Sequence, residues 1–114
     1  MTIKNYEKES LYVESAIKAG LSSKSSLVYV TLLEAGTPLS PKSIILKSNL
    51  YRQYVYDALR ELTDAQLIVT VGTGRTIKYS ATSPDRMFRE AERKRVDTLD
   101  GVQTLMKLYN KSPV

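Results

Sequence analysis

The sequence predicts a mainly α-helical protein with a small β-hairpin, arranged as a winged helix-turn-helix with a long C-terminal dimerisation helix. Three observations predict this class. Two short helical segments joined by a tight turn occupy residues 41–65, a β-rich segment interrupted by glycines covers 68–80, and an amphipathic helical segment covers 84–110. A β-hairpin that directly follows a helix-turn-helix is the pattern of a wing.

The composition is that of a single globular domain. The chain has 114 residues, of which 42% are hydrophobic and 25% are charged. It lacks a run of about 18 apolar residues, so the sequence excludes a membrane-spanning helix. The N-terminal segment mixes Lys and Glu without an apolar centre, unlike a secretory signal. We therefore expect a cytoplasmic protein that does not interact with membranes.

The residue types present argue against catalysis. The chain has no Cys and no His, which removes the usual structural zinc sites, disulfides, thiol chemistry and a His general base. The carboxylates are scattered among basic residues in helical segments and are not gathered at loops. The sequence therefore predicts no enzyme activity, no metal site and no cofactor.

The positive charge is concentrated in the middle and at the end of the chain. The net charge is +5. Residues 1–39 have four bases and four acids, residues 40–83 have six bases and three acids, and residues 84–114 have seven bases and five acids. Such a bias suits nucleic acid, an acidic protein or anionic lipid, and charge alone does not choose among them.

Two helical segments precede the helix-turn-helix. Apolar residues at helical spacing predict a first helix from Tyr6 to about Ala19. A second helix is predicted from about Ser23 to Ala35, because serines precede it and Gly36 follows it. The β-branched residues of this second segment make a strand the alternative.

The first helix of the helix-turn-helix has a clear start signal. Ser40 is suited to be the N-cap, and Pro41 to the first helical position, where its missing N–H costs nothing. The apolar residues at 44–46 predict a short, mostly buried helix that ends near Lys47. Residues 48–50 then form the turn.

The second helix of the pair, from about Tyr51 to Ala65, is amphipathic. A helical wheel centred on Val55 places one set of side chains in the core: Tyr51, Val55, Ala58, Leu59 and Leu62. The exposed face and its edges consist of hydrogen-bonding side chains: Arg52, Gln53, Tyr54, Tyr56, Asp57 and Arg60.

These exposed side chains are of the types that contact DNA in the major groove. Gln can pair with adenine, Arg with guanine or phosphate, and a Tyr hydroxyl can donate to phosphate while its ring contacts a thymine methyl. The six residues are therefore candidates for contacts with bases and nearby phosphates. The alternative is that the tyrosines complete a half-buried core and the charges form a solvated face.

The hairpin is predicted from β-rich residues 68–71, a "GTG" turn at 72–74 and an alternating strand from Arg75 to Ser80. The turn lacks the lysine and the strand-loop-helix context of a phosphate-binding loop. Basic residues on the hairpin and on the preceding helix are candidates for phosphate contacts: Lys42, Lys47, Arg75 and Lys78. Alternatively, the hairpin charges only keep the edge strands soluble.

The last helix is predicted to start with Ser83 as cap and Pro84 at the first position. Its apolar residues form a stripe with coiled-coil-like spacing: Phe88, Leu99, Val102, Met106 and Tyr109. The charged residues Glu92 and Arg95 interrupt the stripe, and Gly101 lies inside the helix. The stripe can fold back on the core or pair with a second chain, and pairing also gives the two-fold symmetry that a palindromic operator requires.

Several motifs resemble the N-terminal winged-helix domain of the TrmB-type transcriptional regulators of archaea and bacteria. They are "GLS" at 20–22, "LLEAG" at 32–36, "VYDALREL" at 55–62 and "KYSATSPDRMF" at 78–88. The resemblance covers about residues 11–90. In members of that family the turn before the helix that corresponds to residues 51–65 usually contains Gly and Pro. Here the segment "SNLYRQY" contains neither.

The resemblance implies a homodimeric DNA-binding regulator, with the helix at 51–65 in the major groove and the wing on the adjacent backbone. Full-length members also have a large sugar-binding domain, which we expect this chain to lack. We expect residues 1–83 to form the DNA-binding domain and 84–110 the dimerisation helix. The predicted function is sequence-specific regulation of transcription on double-stranded DNA. A protein-interaction module and a non-specific architectural DNA-binding protein are the alternatives, and no residue pattern predicts a small-molecule effector.

Overall fold

The computed structural model describes residues 11–111. The first helix, α1, covers residues 11–18 of this range, and its predicted start at Tyr6 lies outside the described residues. The other elements follow in chain order: α2 (Ser23–Ala35), α3 (Pro41–Ser48), α4 (Arg52–Asp64), β1 (Ile68–Val71), β2 (Lys78–Ala81) and α5 (Arg86–Lys111). The prediction of a mainly helical fold with one β-hairpin is confirmed. The chain divides into two compact units between Ser83 and Pro84.

The second helix is confirmed at its predicted bounds, and the alternative of a strand is wrong. The Ser22 hydroxyl accepts a hydrogen bond from the Ser25 N–H at 3.3 Å, which satisfies one of the unpaired donors at the helix start. Gly36 ends the helix in the left-handed region at φ 66°, where glycine carries no steric cost.

Helix α3 starts as predicted, with Ser40 as N-cap and Pro41 as its first residue. The prediction that it is mostly buried is wrong. Ile44 is fully buried, Ile45 is half-buried, and Leu46 is 74% exposed. Successive helical residues are 100° apart, so three in a row cannot all face the neighbouring helices α2 and α4.

The turn between α3 and α4 depends on an asparagine. Asn49 caps α3 in the left-handed region at φ 59°, and its N–H donates to the Ile45 carbonyl at 3.0 Å. Asn tolerates this region better than other non-glycine residues because its short polar side chain bonds locally. The chain therefore makes the tight turn without a glycine.

The core is built around the contact between α2 and α4. The α2 side chains Val28, Tyr29 and Leu32 are at most 2% exposed. Four of the five predicted core residues of α4 are buried: Val55, Ala58, Leu59 and Leu62. The prediction for Tyr51 is wrong, since its side chain is 78% exposed. Tyr51 is the N-cap of α4 and has extended backbone angles, so the helical wheel does not describe its direction.

The hairpin pairs β1 and β2 in antiparallel register, with Ile68 opposite Ala81. The prediction that the second strand begins at Arg75 is wrong. Residues Gly74–Thr76 form a short 3-10 turn, and β2 begins at Lys78. The Thr76 N–H and hydroxyl both donate to the Thr73 carbonyl, at 3.1 and 2.8 Å, and these bonds stabilise the turn.

Two contacts attach the hairpin to the helical core. Leu39, in the loop before α3, exchanges two backbone hydrogen bonds with Tyr79 of β2, at 2.9 and 2.8 Å. The buried Tyr29 hydroxyl donates to the carbonyl of Thr82, just after β2, at 2.7 Å. The hairpin is thereby tied both to the start of the helix-turn-helix and to the central helix α2.

The last helix starts later than predicted. Pro84 and Asp85 lie in a turn whose carbonyls accept from Met87 and Phe88 at 3.0 Å, and α5 begins at Arg86. Within the described residues, α5 buries none of its side chains.

Ile44 and Leu46, two positions apart on α3, provide a matched test of the core. Ile44→Ala should lower the free energy of unfolding by about 2–5 kcal/mol, because it leaves a cavity in a packed site. Leu46→Ala should change it by less than about 0.5 kcal/mol, because the side chain is exposed. Urea denaturation of both variants measures the difference. Similar losses for the two variants would contradict the described packing.

Candidate nucleic-acid interface

The exposed face of α4 is fixed by its buried stripe. Because the stripe of Val55, Leu59 and Leu62 is buried, helical geometry turns the opposite side of the helix outward. The six predicted contact residues of α4 are all at least partly exposed: Arg52, Gln53, Tyr54, Tyr56, Asp57 and Arg60. The helix therefore presents a continuous hydrogen-bonding surface over its first three turns.

Three of these residues form a connected row along the helix. The Gln53 amide Nε2 donates to Asp57 Oδ1 at 3.0 Å. The same carboxylate oxygen lies 3.6 Å from an Arg60 guanidinium nitrogen. The side chains of Arg60 and Asp57 are 71% and 42% exposed. An amide, a carboxylate and a guanidinium thus share one outward-facing network.

A second pair lies beside this row. The Arg52 guanidinium carbon is 5.4 Å from the centre of the Tyr56 ring. This distance is within the range of a cation–π contact. The contact leaves the guanidinium on the surface of the helix, where its donors remain available to a phosphate or to a guanine edge.

A third cluster includes two residues that were not predicted for the interface. Lys24, near the start of α2, places its Nζ 4.0 Å from the centre of the Tyr54 ring. Tyr51 packs edge-on against the same ring, with a centroid distance of 5.8 Å and an interplanar angle of 68°. Lys24 is 30 residues from Tyr54 in sequence, so no local pattern reveals the contact. Tyr51 could have been recognised as a cap residue from its place at the end of the turn.

The four predicted phosphate-contacting residues are all exposed: Lys42, Lys47, Arg75 and Lys78. The first two lie on α3, Lys78 on β2, and Arg75 in the 3-10 turn of the wing. Among the described residues, none of the four forms an ion pair. Their ammonium and guanidinium groups are therefore not neutralised by carboxylates of the described chain.

The apolar stripe of α5 is exposed in the single chain. The predicted stripe residues are between 46% and 78% exposed: Phe88, Leu99, Val102, Met106 and Tyr109. The two charged residues on the stripe pair with each other, since Arg95 donates to Glu92 at 2.7 and 3.2 Å. These hydrogen bonds lower the pKa of Glu92 and raise that of Arg95. The pair reduces the charge that interrupts the stripe.

Other kinds of site are not found in the described part of the chain. Residues 11–111 contain no group of three or more acidic side chains that could bind a metal ion. Of the helices in this range, none is both long enough and apolar enough to cross a membrane.

Several solved structures share the fold. TrmBL2, described as an archaeal chromatin protein with a novel mode of DNA binding, matches with a TM-score of 0.76 and 19% identity over 93% of this chain and 47% of that chain. The ST1889 protein of the thermoacidophilic archaeon Sulfolobus tokodaii matches with a TM-score of 0.56 and 16% identity, over 86% of this chain and 99% of that chain. The MarR family transcription regulator SP03579 matches with a TM-score of 0.55 and 16% identity, over 97% of this chain and 79% of that chain.

These likenesses establish the fold, and the chain spans about half the length of TrmBL2. The helix-turn-helix and the hairpin that follows it define a winged-helix protein. Residues 16–85 match the family described as "Sugar-specific transcriptional regulator TrmB". The chain belongs to the TrmB family. No curated protein matches it.

Two glycines of the wing loop allow a matched test of its geometry. Gly72 has φ 87°, and a Cβ there would lie 2.8 Å from the Thr76 carbonyl oxygen, whereas a Cβ at Gly74, with φ 58°, would meet no atom within 4 Å. Gly74→Ala should therefore cost about 1–2 kcal/mol of stability from the left-handed backbone alone. Gly72→Ala should cost more, because the clash with the Thr76 carbonyl adds to a similar backbone cost. Thermal unfolding measures both. A larger cost at Gly74 would contradict the described loop.

Proposed function

We propose that the protein is a cytoplasmic, sequence-specific regulator of transcription that binds double-stranded DNA as a homodimer. The observation that carries this proposal is the exposed face of α4, on which amide, guanidinium, carboxylate and phenol groups follow one another over three helical turns. Base edges in the major groove present paired donors and acceptors that such groups match. Residues 1–83 act as the DNA-binding domain in this proposal.

Basic side chains around α4 supply the contacts that position it. Lys42, Lys47, Arg75 and Lys78 are exposed and form no ion pairs with other described residues, which suits them to phosphate binding. Lys24 is a fifth candidate because it lies against Tyr54, one of the proposed contact residues. Phosphate contacts of this kind fix the register of a helix in the groove without themselves selecting a sequence.

Residues 84–110 act as the dimerisation element in this proposal. Exposed apolar residues at spacings of three and four along one side of α5 favour pairing with a second copy, because large apolar side chains gain free energy when they leave water. Two-fold symmetry would place the two α4 helices about one DNA turn, roughly 34 Å, apart on a palindromic operator.

A second candidate function is architectural binding of DNA without sequence preference. It is favoured by the fold that the chain shares with TrmBL2, which is described as a chromatin protein. The net charge of +5 would be sufficient for this function. A protein-interaction module is a further alternative, in which the exposed tyrosines dock a protein partner.

Fluorescence anisotropy on DNA duplexes separates these functions. Duplexes tiled from the DNA upstream of the protein's own gene are titrated across salt, beside scrambled controls. We expect one tile to bind at least about a thousandfold more tightly than its control, with a steep salt dependence. Equal affinity for every tile would favour the architectural function. Absence of binding at physiological salt would contradict both DNA-binding functions.

Side-chain truncations on the same duplex test the individual roles. Arg52→Ala or Gln53→Ala should weaken specific binding by roughly 5-fold to 150-fold, the value of one good base contact. Lys24→Ala should weaken binding to all sequences. It should also reduce the slope of log affinity against log salt concentration by about 1, which corresponds to one phosphate contact. Lys18→Ala, which removes an exposed charge from α1, is the control and should leave the salt slope unchanged.

Dimerisation is tested by substitution on opposite sides of α5. Val102→Asp places a charge on the apolar stripe and should convert the dimer to a monomer of 12.8 kDa, with a large loss of operator affinity. Thr104→Asp, about 160° away around the helix, is the control and should remain dimeric. Sedimentation equilibrium measures the mass. A wild-type monomer at micromolar concentration, or a dimer that tolerates Val102→Asp, would contradict the proposed pairing.

A further inference from the structure

We infer that Asp57 is a positioning residue that makes Gln53 select adenine over guanine. This inference rests on the proposed sequence-specific binding by α4. Asp57 lies one turn after Gln53 and accepts a hydrogen bond from its amide nitrogen at 3.0 Å. In this account Asp57 acts on the DNA through Gln53 and does not itself contact a base.

The bond fixes which way the Gln53 amide points. An ionised carboxylate only accepts hydrogen bonds, whereas an amide has a donating nitrogen on one side and an accepting oxygen on the other. The nitrogen must therefore face Asp57, because the opposite orientation would bring two oxygens together. One hydrogen of Nε2 is used by Asp57, and the second hydrogen and the Oε1 acceptor remain available.

The remaining donor and acceptor match one base. In the major groove adenine presents the N7 acceptor beside the N6 donor, so Gln53 can donate from Nε2 to N7 and accept from N6 at Oε1. Guanine presents two acceptors, N7 and O6. Oε1 would then face O6 without a hydrogen between them. A free amide could instead turn both Nε2 hydrogens toward N7 and O6. Asp57 holds one of these hydrogens, so Gln53 cannot pair with guanine in this way.

Arg60 completes the arrangement. Its guanidinium lies 3.6 Å from the carboxylate oxygen that accepts from Gln53. A carboxylate on a DNA-binding surface is repelled by phosphates, and an adjacent positive charge offsets this repulsion. Arg60 therefore allows an acid to remain on the face of α4 that the proposed function directs toward DNA.

A simpler role for the Gln53–Asp57 pair is helix stabilisation, since such pairs at a spacing of four stabilise helices by about 0.2–0.5 kcal/mol. That role predicts no change in base preference when Asp57 is replaced. Base preference is therefore the readout that distinguishes the two roles.

The experiment starts with selection of duplexes from a random library by the wild-type protein. The same selection with the Gln53→Ala variant identifies the base pair that Gln53 contacts. It is the position at which the variant no longer shows the base preference of the wild-type protein. Affinities are then measured with adenine, guanine, 7-deazaadenine or unsubstituted purine at that position. The affinity of the wild-type protein should fall roughly 5-fold to 150-fold for each replacement of adenine, because each one removes or reverses part of the bidentate match.

Variants of Asp57 give the decisive comparison. Asp57→Ala should reduce the preference for adenine over guanine at least about fivefold at this position and leave the other positions unchanged. Asp57→Asn should reduce it further, because the new amide can also donate and so permits the reversed orientation of Gln53. Glu61→Gln is the matched control. It removes a negative charge from the same helix, and the Glu61 carboxylate accepts from the Ser22 hydroxyl and not from Gln53. It should leave the preference unchanged.

A double variant and unfolding measurements complete the test. In the Gln53→Ala background, Asp57→Ala should cause no further loss of base preference, because the two residues act as one unit. Thermal unfolding verifies that each variant is folded. If no sequence is enriched by the wild-type protein, the proposed function and this inference both fail. If sequences are enriched and Asp57→Ala keeps the full preference for adenine, only the inference is overturned.

Discussion

The structure depends on the burial of one side of α4 against α2. Val55 and Leu62 are completely removed from solvent, and burial of each such side chain contributes about 1.5–3 kcal/mol. This contact sets the rotation of α4 about its own axis. Because the helix has 3.6 residues per turn, the same rotation determines that Gln53, Asp57 and Arg60 face outward together. Core packing and the chemistry of the exposed face are thus two results of one constraint.

The remaining elements position this face. The left-handed Asn49 makes a turn short enough for α3 and α4 to pack on the same helix α2. The paired backbone bonds between Leu39 and Tyr79 attach the wing to the loop from which α3 starts. Each connection uses backbone groups that are hydrogen-bonded to each other, and these bonds hold the geometry. Such connections hold the side chains of α4 within the small tolerance that the proposed base recognition requires.

Local signals predicted the elements well. Ser40 and Pro41 start α3, and Gly36 ends α2, because caps act within one helical turn. Predictions failed where neighbours outside that turn decide. Leu46 is exposed because α3 contacts the core along one side. Tyr51 is a local error, since it is exposed because it precedes the helix as its cap. The contact of Lys24 with Tyr54 joins residues 30 positions apart, so only the packing of α2 on α4 reveals it. The roles of the interface residues remain predictions.

The central claim is that α4 enters the major groove of DNA. Methylation protection with dimethyl sulfate tests it directly, because this reagent modifies guanine N7 in the major groove and adenine N3 in the minor groove. We predict protection of guanine N7 in two patches whose centres lie one helical turn apart, roughly 10 base pairs, while adenine N3 stays reactive between them. Protection confined to adenine N3, with guanine N7 fully reactive in the bound duplex, would contradict the account.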